Sequence, residues 1–138
     1  DLVDLGRSPI VALVRKGYLP EGKAALGFND LQSHPLIFRE QGSRTRANLE
    51  DEARRRKLPL APAIEVEGRE AMREVVASGA GIGFVSEAEF GHDDRLVSVP
   101  IEGMSLAMSE ALVSLKARRD VPVIRAFQKS IAGVAQPF

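Results

Sequence analysis

The sequence predicts an α/β domain whose sheet is largely parallel. Two observations lead there. Short apolar runs rich in β-branched residues alternate with amphipathic segments through the middle of the chain, and glycines and prolines punctuate the junctions. The chain has 138 residues, enough for one domain with a real core or for one and a half small lobes.

Ile10-Val11-Ala12-Leu13-Val14 reads as a buried strand. Residues 17–35 are loop-like, broken by Gly17, Pro20, Gly22 and Gly27, with Asn29 or Asp30 expected to cap a short helical turn. Leu36-Ile37-Phe38 is the second strand. A helix follows through Lys57, with Ser43 suited to its N-cap, because a hydroxyl there accepts a bond from an otherwise unpaired helix N–H. Glu50–Arg54, Asp51–Arg55 and Glu52–Arg56 have the favoured acid-before-base spacing, and Arg54–Lys57 suit the negative end of the helix. Pro59 and Pro62 end it.

Ile64 and Val66 mark a third strand. Met72, Val75 and Val76 give residues 68–78 an apolar helical stripe that closes at Gly79. Ile82, Phe84 and Val85 form a fourth strand, residues 96–101 a fifth and residues 110–116 a sixth. Asp120 is expected to cap a last helix whose inner face is Ile124, Phe127, Ile131 and Val134.

Composition narrows the function. Lys plus Arg equal Asp plus Glu at 19 each, so the chain as a whole lacks the basic excess of a nucleic-acid binder. The absence of cysteine excludes disulfides, thiolate metal sites and thiol redox chemistry, and it fits a cytoplasmic setting. No apolar run is long enough to cross a bilayer, and residues 1–4 do not resemble a signal peptide.

Two segments invite a chemical reading. In the first, residues 35–46, a strand ends, Gly42 lets the backbone turn, and Ser43 and Thr45 fall at a helix start. Free N–H groups and the positive helix end suit a carboxylate, phosphate, phosphonate or sulfate there. The same residues also fit a plain cap, with Arg44 and Arg46 solvated. The second segment, Val75–Ser86, is glycine-rich, but a helix precedes its strand, the reverse of a phosphate loop, so a tight connection is the better reading. Ser86, at the carboxyl end of that strand, is placed to reach a ligand. Neither His34 nor the polar turn Gly91-His92-Asp93-Asp94 forms a convincing metal site, and Glu87 and Glu89 read as solvated turn residues. No nucleophile, base and orienting group assemble, so no catalytic residues, metal or cofactor are expected and the chain is not read as an enzyme.

Taken in order, Val11–Val14, Pro35–Arg46, Val75–Val85 and Arg95–Ile101 resemble the effector-binding domain of LysR-type transcriptional regulators across nearly the whole chain. The resemblance implies a fold like type 2 periplasmic binding proteins, in which two α/β lobes joined by two crossovers hold ligand between them. It divides the chain into residues 1–15 (end of the first lobe and crossover), 16–100 (an essentially complete second lobe) and 101–138 (return crossover and C-terminal helix of a partial first lobe). Ligand contacts carried over are Gln41, Gly42, Ser43, Arg44 and Thr45, with Ser86 added from its position. The family's opening βα units and its N-terminal helix-turn-helix have no counterpart here. The apolar faces of residues 2–14 and 124–134 are therefore expected to lack their usual partners, as in a fragment or an exchange between chains. The peroxide-sensing subtype is excluded by the missing cysteine. Residues 86–91 and 108–127 resemble regulators associated with 2-aminoethylphosphonate use.

The expected partners are thus a small anionic effector, a second copy of the chain, and DNA only through a domain outside it, with no membrane. A solute-binding protein of a transporter shares the fold and is the alternative. A hydrolase or transferase is the third possibility.

Overall fold

The structure, a computed structural model, describes residues 1–104 and 106–133. They form two compact units, one comprising residues 9–106 and the other residues 1–8 with those from Ala107 onward.

In the larger unit the strands are β1 (Leu2–Arg15, of which residues 9–15 lie here), β2 (Ile37–Arg39), β3 (Ile64–Val66), β4 (Gly83–Ser86) and β5 (Leu96–Val99). β2 and β3 pair in parallel, Ile37 opposite Ile64, and a parallel bridge joins Leu36 to Ile82 just ahead of β4. β1 runs antiparallel to both β4 and β5, with Leu13 opposite Gly83 and Ala12 opposite Val99. The sheet is therefore mixed where parallel strands were expected. Parallel pairing follows the helical crossovers, α2 (Arg44–Arg56) from β2 to β3 and α3 (Arg69–Ala77) from β3 to Ile82, and β1 and β5 lie outside that run.

The core gathers Val11 and Leu13 from β1, Ile37 from β2, Met72 and Val76 from α3, Val85 and Leu96. Phe38 and Phe84 meet edge to face at 6.0 Å. The glycine-rich stretch is explained by packing. A Cβ at Gly83 would lie 2.5 Å from Met72 Sδ and 2.8 Å from Val76 Cγ2, and one at Gly81 would collide with the Pro35 carbonyl oxygen. Those glycines let α3 and the 35–36 backbone approach the strand.

Local signals were realised with adjustments. α1 (Phe28–Leu31) begins at Gly27, whose N–H donates to Asp30 Oδ2 at 2.8 Å, so Asp30 caps from inside the turn. Of the three spaced pairs on α2, Glu52–Arg56 forms at 2.7 Å, whereas Asp51 takes Arg54 and Glu52 also takes Arg55. Glu50 turns instead to Arg46 at 2.9 Å. Lys57 ends α2 in the left-handed region, φ 54°. Glu87 and Glu89 lie in a one-turn helix, α4 (Glu87–Phe90).

The smaller unit pairs the start of β1 with β6 (Ala107–Val113) and carries α5 (Pro122–Ala132). β6 starts and ends earlier than residues 110–116, because its pairing closes where Ser114 and Asp1 exchange backbone bonds at 3.0 Å. Residues 116–118 turn as a short 3₁₀ helix. Asp120 does not cap α5. Pro122 occupies the first helical turn and Val121 is the cap, so Asp120 sits one residue too early and lies 3.7 Å from Arg119 Nε. No described residue of this unit is buried: Val123 is 71% and Phe127 55% exposed. Val134 lies outside the described residues.

Candidate functional site

The chain leaves β2 at Arg39 and enters α2 through residues 40–43. Gly42 takes φ +94°, a conformation that suits glycine, and open space surrounds it. Ser43 is buried and its Oγ accepts the Arg46 N–H at 3.4 Å, so this hydroxyl serves as the helix cap. The N–H groups of Arg44 and Thr45 have no partner within the helix.

Two clamps brace this turn. Arg39 grips Glu40 with two bonds of 3.1 and 2.7 Å, and Glu40 Oε2 also accepts the Gly68 N–H at 3.1 Å. The Arg39 guanidinium, more than any other group, holds the Glu40 carboxyl down to about 2. The second clamp is Arg46, only 7% exposed. It bonds the Arg39 carbonyl oxygen (2.7 Å), Glu65 (2.6 Å) and Glu50 (2.9 Å), and stacks over the Phe38 ring. Arg44 is exposed, as its solvated reading required, whereas Arg46 is buried and bonded instead of solvated.

Thr45 faces a narrow concavity at the carboxyl ends of β2, β3 and β4, the end at which open α/β sheets receive ligands. The residue is only 7% exposed, and its hydroxyl makes no hydrogen bond among the described residues. Around it stand Arg39 from β2, Arg69 and Arg73 from α3, Glu89 from α4, and Phe84. Arg69 Nη1 lies 3.3 Å from Glu89 Oε1, and Arg73 Nη2 donates to the carbonyl oxygens of Glu89 (3.1 Å) and Phe90. Three cations against one lining carboxylate make the concavity suited to an anion.

Of the six residues singled out from sequence, Thr45 alone lines this concavity. Gln41, Gly42 and Arg44 are exposed at the neighbouring turn, and Ser43 is committed to its cap. Ser86 is 1% exposed and its Oγ has no partner. Phe84 and Val85 before it both line the concavity, whereas Ser86 does not. Arg69 and Arg73 escaped sequence reasoning, their spacing of four being the available signal, and Glu89, read there as a solvated turn residue, instead lines the concavity and pairs with Arg69. His34 Nδ1 lies 3.2 Å from the Tyr18 hydroxyl, and His92 Nε2 lies 3.0 Å from Asp94 on the surface.

The family model described as LysR substrate binding domain matches residues 1–136. This chain belongs to that family. The LysR domain is similar to the "RuBisCO operon transcriptional regulator" of Allochromatium vinosum, with 26% identity over 132 residues, 93% of this chain and 43% of that protein. Among solved structures it is similar to the CcmR regulatory domain of Synechocystis PCC6803 in complex with 2-PG. There the TM-score is 0.84 at 20% identity, over 100% of this chain and 69% of that one. The effector binding domain of QuiR in complex with shikimate gives a TM-score of 0.78 at 19% identity, over 98% and 65%. These likenesses establish the type 2 periplasmic-binding-protein-like fold. The LysR domain thus spans under half the length of its curated relative. Among the described residues, no helix is long and apolar enough to cross a membrane.

Proposed function

We propose that this domain senses a small anionic effector at the Thr45 concavity and passes the signal to a DNA-binding domain elsewhere in a homo-oligomeric cytoplasmic regulator, without catalysing a reaction. The observation that carries the reading is Thr45, a residue only 7% exposed whose hydroxyl has no partner among the described residues, beside free N–H groups at the start of a 13-residue helix and ringed by Arg39, Arg69 and Arg73. Residues 16–100 form the ligand-binding second lobe in this reading, with residues 1–15 and 101–138 supplying crossovers and part of the first lobe. Gln41 to Arg44 extend the contact surface, and Ser86 supplies a hydroxyl at the end of β4. A phosphonate suits the charge of the wall, and 2-aminoethylphosphonate is the first effector to test. The effector biases the regulator only through different affinities for its two states.

The test is a titration with 2-aminoethylphosphonate and inorganic phosphate, followed through the backbone amides. Shifts centred on Arg44 and Thr45, weakened about tenfold by Thr45→Val, are expected from the loss of a bond to a charged group. Equal affinity in the variant, or shifts elsewhere, refutes the reading.

A further inference from the structure

The concavity already contains an anion of its own. Glu89 is one of its lining residues, and its carboxylate stands 3.3 Å from the Arg69 guanidinium. Both side chains are partly open to solvent, 49% exposed for Arg69 and 34% for Glu89. The free volume is only about 10 Å³, room for a water and not for a phosphate-sized group. An effector anion therefore has to move something, and the lining offers few candidates. Arg39 is held by two bonds to Glu40, and Arg73 is anchored on two backbone carbonyls. Leu13, Met72 and Phe84 are core side chains. Glu89 is the residue whose tie is a single ion pair, partly solvated and hence weak. It sits on a helix of four residues that ends at Gly91, φ +63°.

We propose that Glu89 is a built-in stand-in for the effector's anionic group: it neutralises Arg69 in the empty site and is displaced when the effector binds. This rests on the reading of the concavity as the effector site. The arrangement does two things. It spares Arg69 from standing uncompensated beside Arg73 and Arg39, and it sets a threshold, since a ligand has to outbid a tethered carboxylate. A monoanion merely replaces Glu89, whereas a dianion adds attraction, so the device selects for charge.

The inference has a sign that a bracing role would not share. Inorganic phosphate is titrated into the chain at neutral pH and low salt, followed by amide shifts. Glu89→Gln is expected to bind phosphate roughly twofold to fivefold more tightly, the scale of a partly exposed ion pair. Glu89→Asp, whose shorter acid withdraws from Arg69, should fall between, and it serves if the amide variant does not fold. Arg69→Gln should bind more weakly. Unchanged or weaker binding by both Glu89 variants overturns the proposal, because it means that Glu89 holds Arg69 in place for the ligand. If phosphate shifts Arg44 and Thr45 yet the Glu89 variants bind no tighter, only this inference fails. If phosphate moves none of these amides in any variant, the effector-site reading fails with it.

Discussion

Arg46 Nη1 donates to the carbonyl oxygen of Arg39 across 2.7 Å, joining the first turn of α2 to the last residue of β2. The segment between them is the candidate effector turn, so its shape is held by a bond that bypasses it. The same guanidinium reaches Glu65 on β3 and Glu50 on α2.

Arg46→Met should therefore cost about 2 kcal/mol of unfolding free energy. The variant keeps much of the packing over Phe38 but loses three charge-assisted bonds. The penalty stays below that of a fully buried pair because Glu65 is half exposed and rehydrates. Urea unfolding measures it, and a loss under 0.5 kcal/mol, the scatter of ordinary surface substitutions, would show the clamp to be ornamental.

Gly83→Ala should destabilise by about 1–3 kcal/mol, since its methyl would press on Met72 Sδ and Val76 Cγ2. Met72→Ala makes room, so Gly83→Ala should cost less in that background than in the native one. Additive costs in the double-mutant cycle would contradict the packing account.

Ser86→Ala should leave the fold as stable as before or raise it by about 1 kcal/mol, because a buried hydroxyl without a partner is removed. Thermal melts without ligand decide it. A marked loss would mean that Ser86 has a partner the structure does not contain, such as a bound water.

Acid should weaken the fold in a defined window. Glu40 and Asp93 are each held down to about 2, by Arg39 and Arg95 respectively, below the ordinary carboxylate range. A depressed folded value contributes stability above the unfolded value of about 4 and loses it as pH falls toward 2. Unfolding midpoints should thus fall between pH 5 and pH 2, and Glu40→Gln should flatten that fall. A slope unchanged in the variant would remove Glu40 from the account. Both ion pairs are partly open to solvent, so added salt should shrink the effect.

What the sequence disclosed follows the range of the physics. The Ser43 cap and the Lys57 end of α2 depend on neighbours a few residues away, and those were legible. Arg46 was not, because its burial depends on Glu65, 19 residues on, and on the end of β2. Nor was the charged lining of the concavity, since Arg39 ends β2, Arg69 follows β3 and Glu89 follows β4, and they meet only when these strands lie side by side. The length of β1 was missed for a similar reason. Gly6-Arg7-Ser8 has the composition of a loop and is extended because β6 pairs with it. Asp120 shows the converse, a sound local signal displaced by a stronger one, Pro122.

One strand passes through both compact units. Residues 10–14 of β1 are at most 4% exposed, whereas the described residues of the smaller unit include none that is buried. Little apolar burial opposes local opening there, so amide protons along this single strand should keep two clocks. Those from Ile10 to Val14 should exchange for deuterium only as the whole larger unit unfolds. Those from Val3 to Ser8 should exchange orders of magnitude sooner, at a rate that urea barely changes.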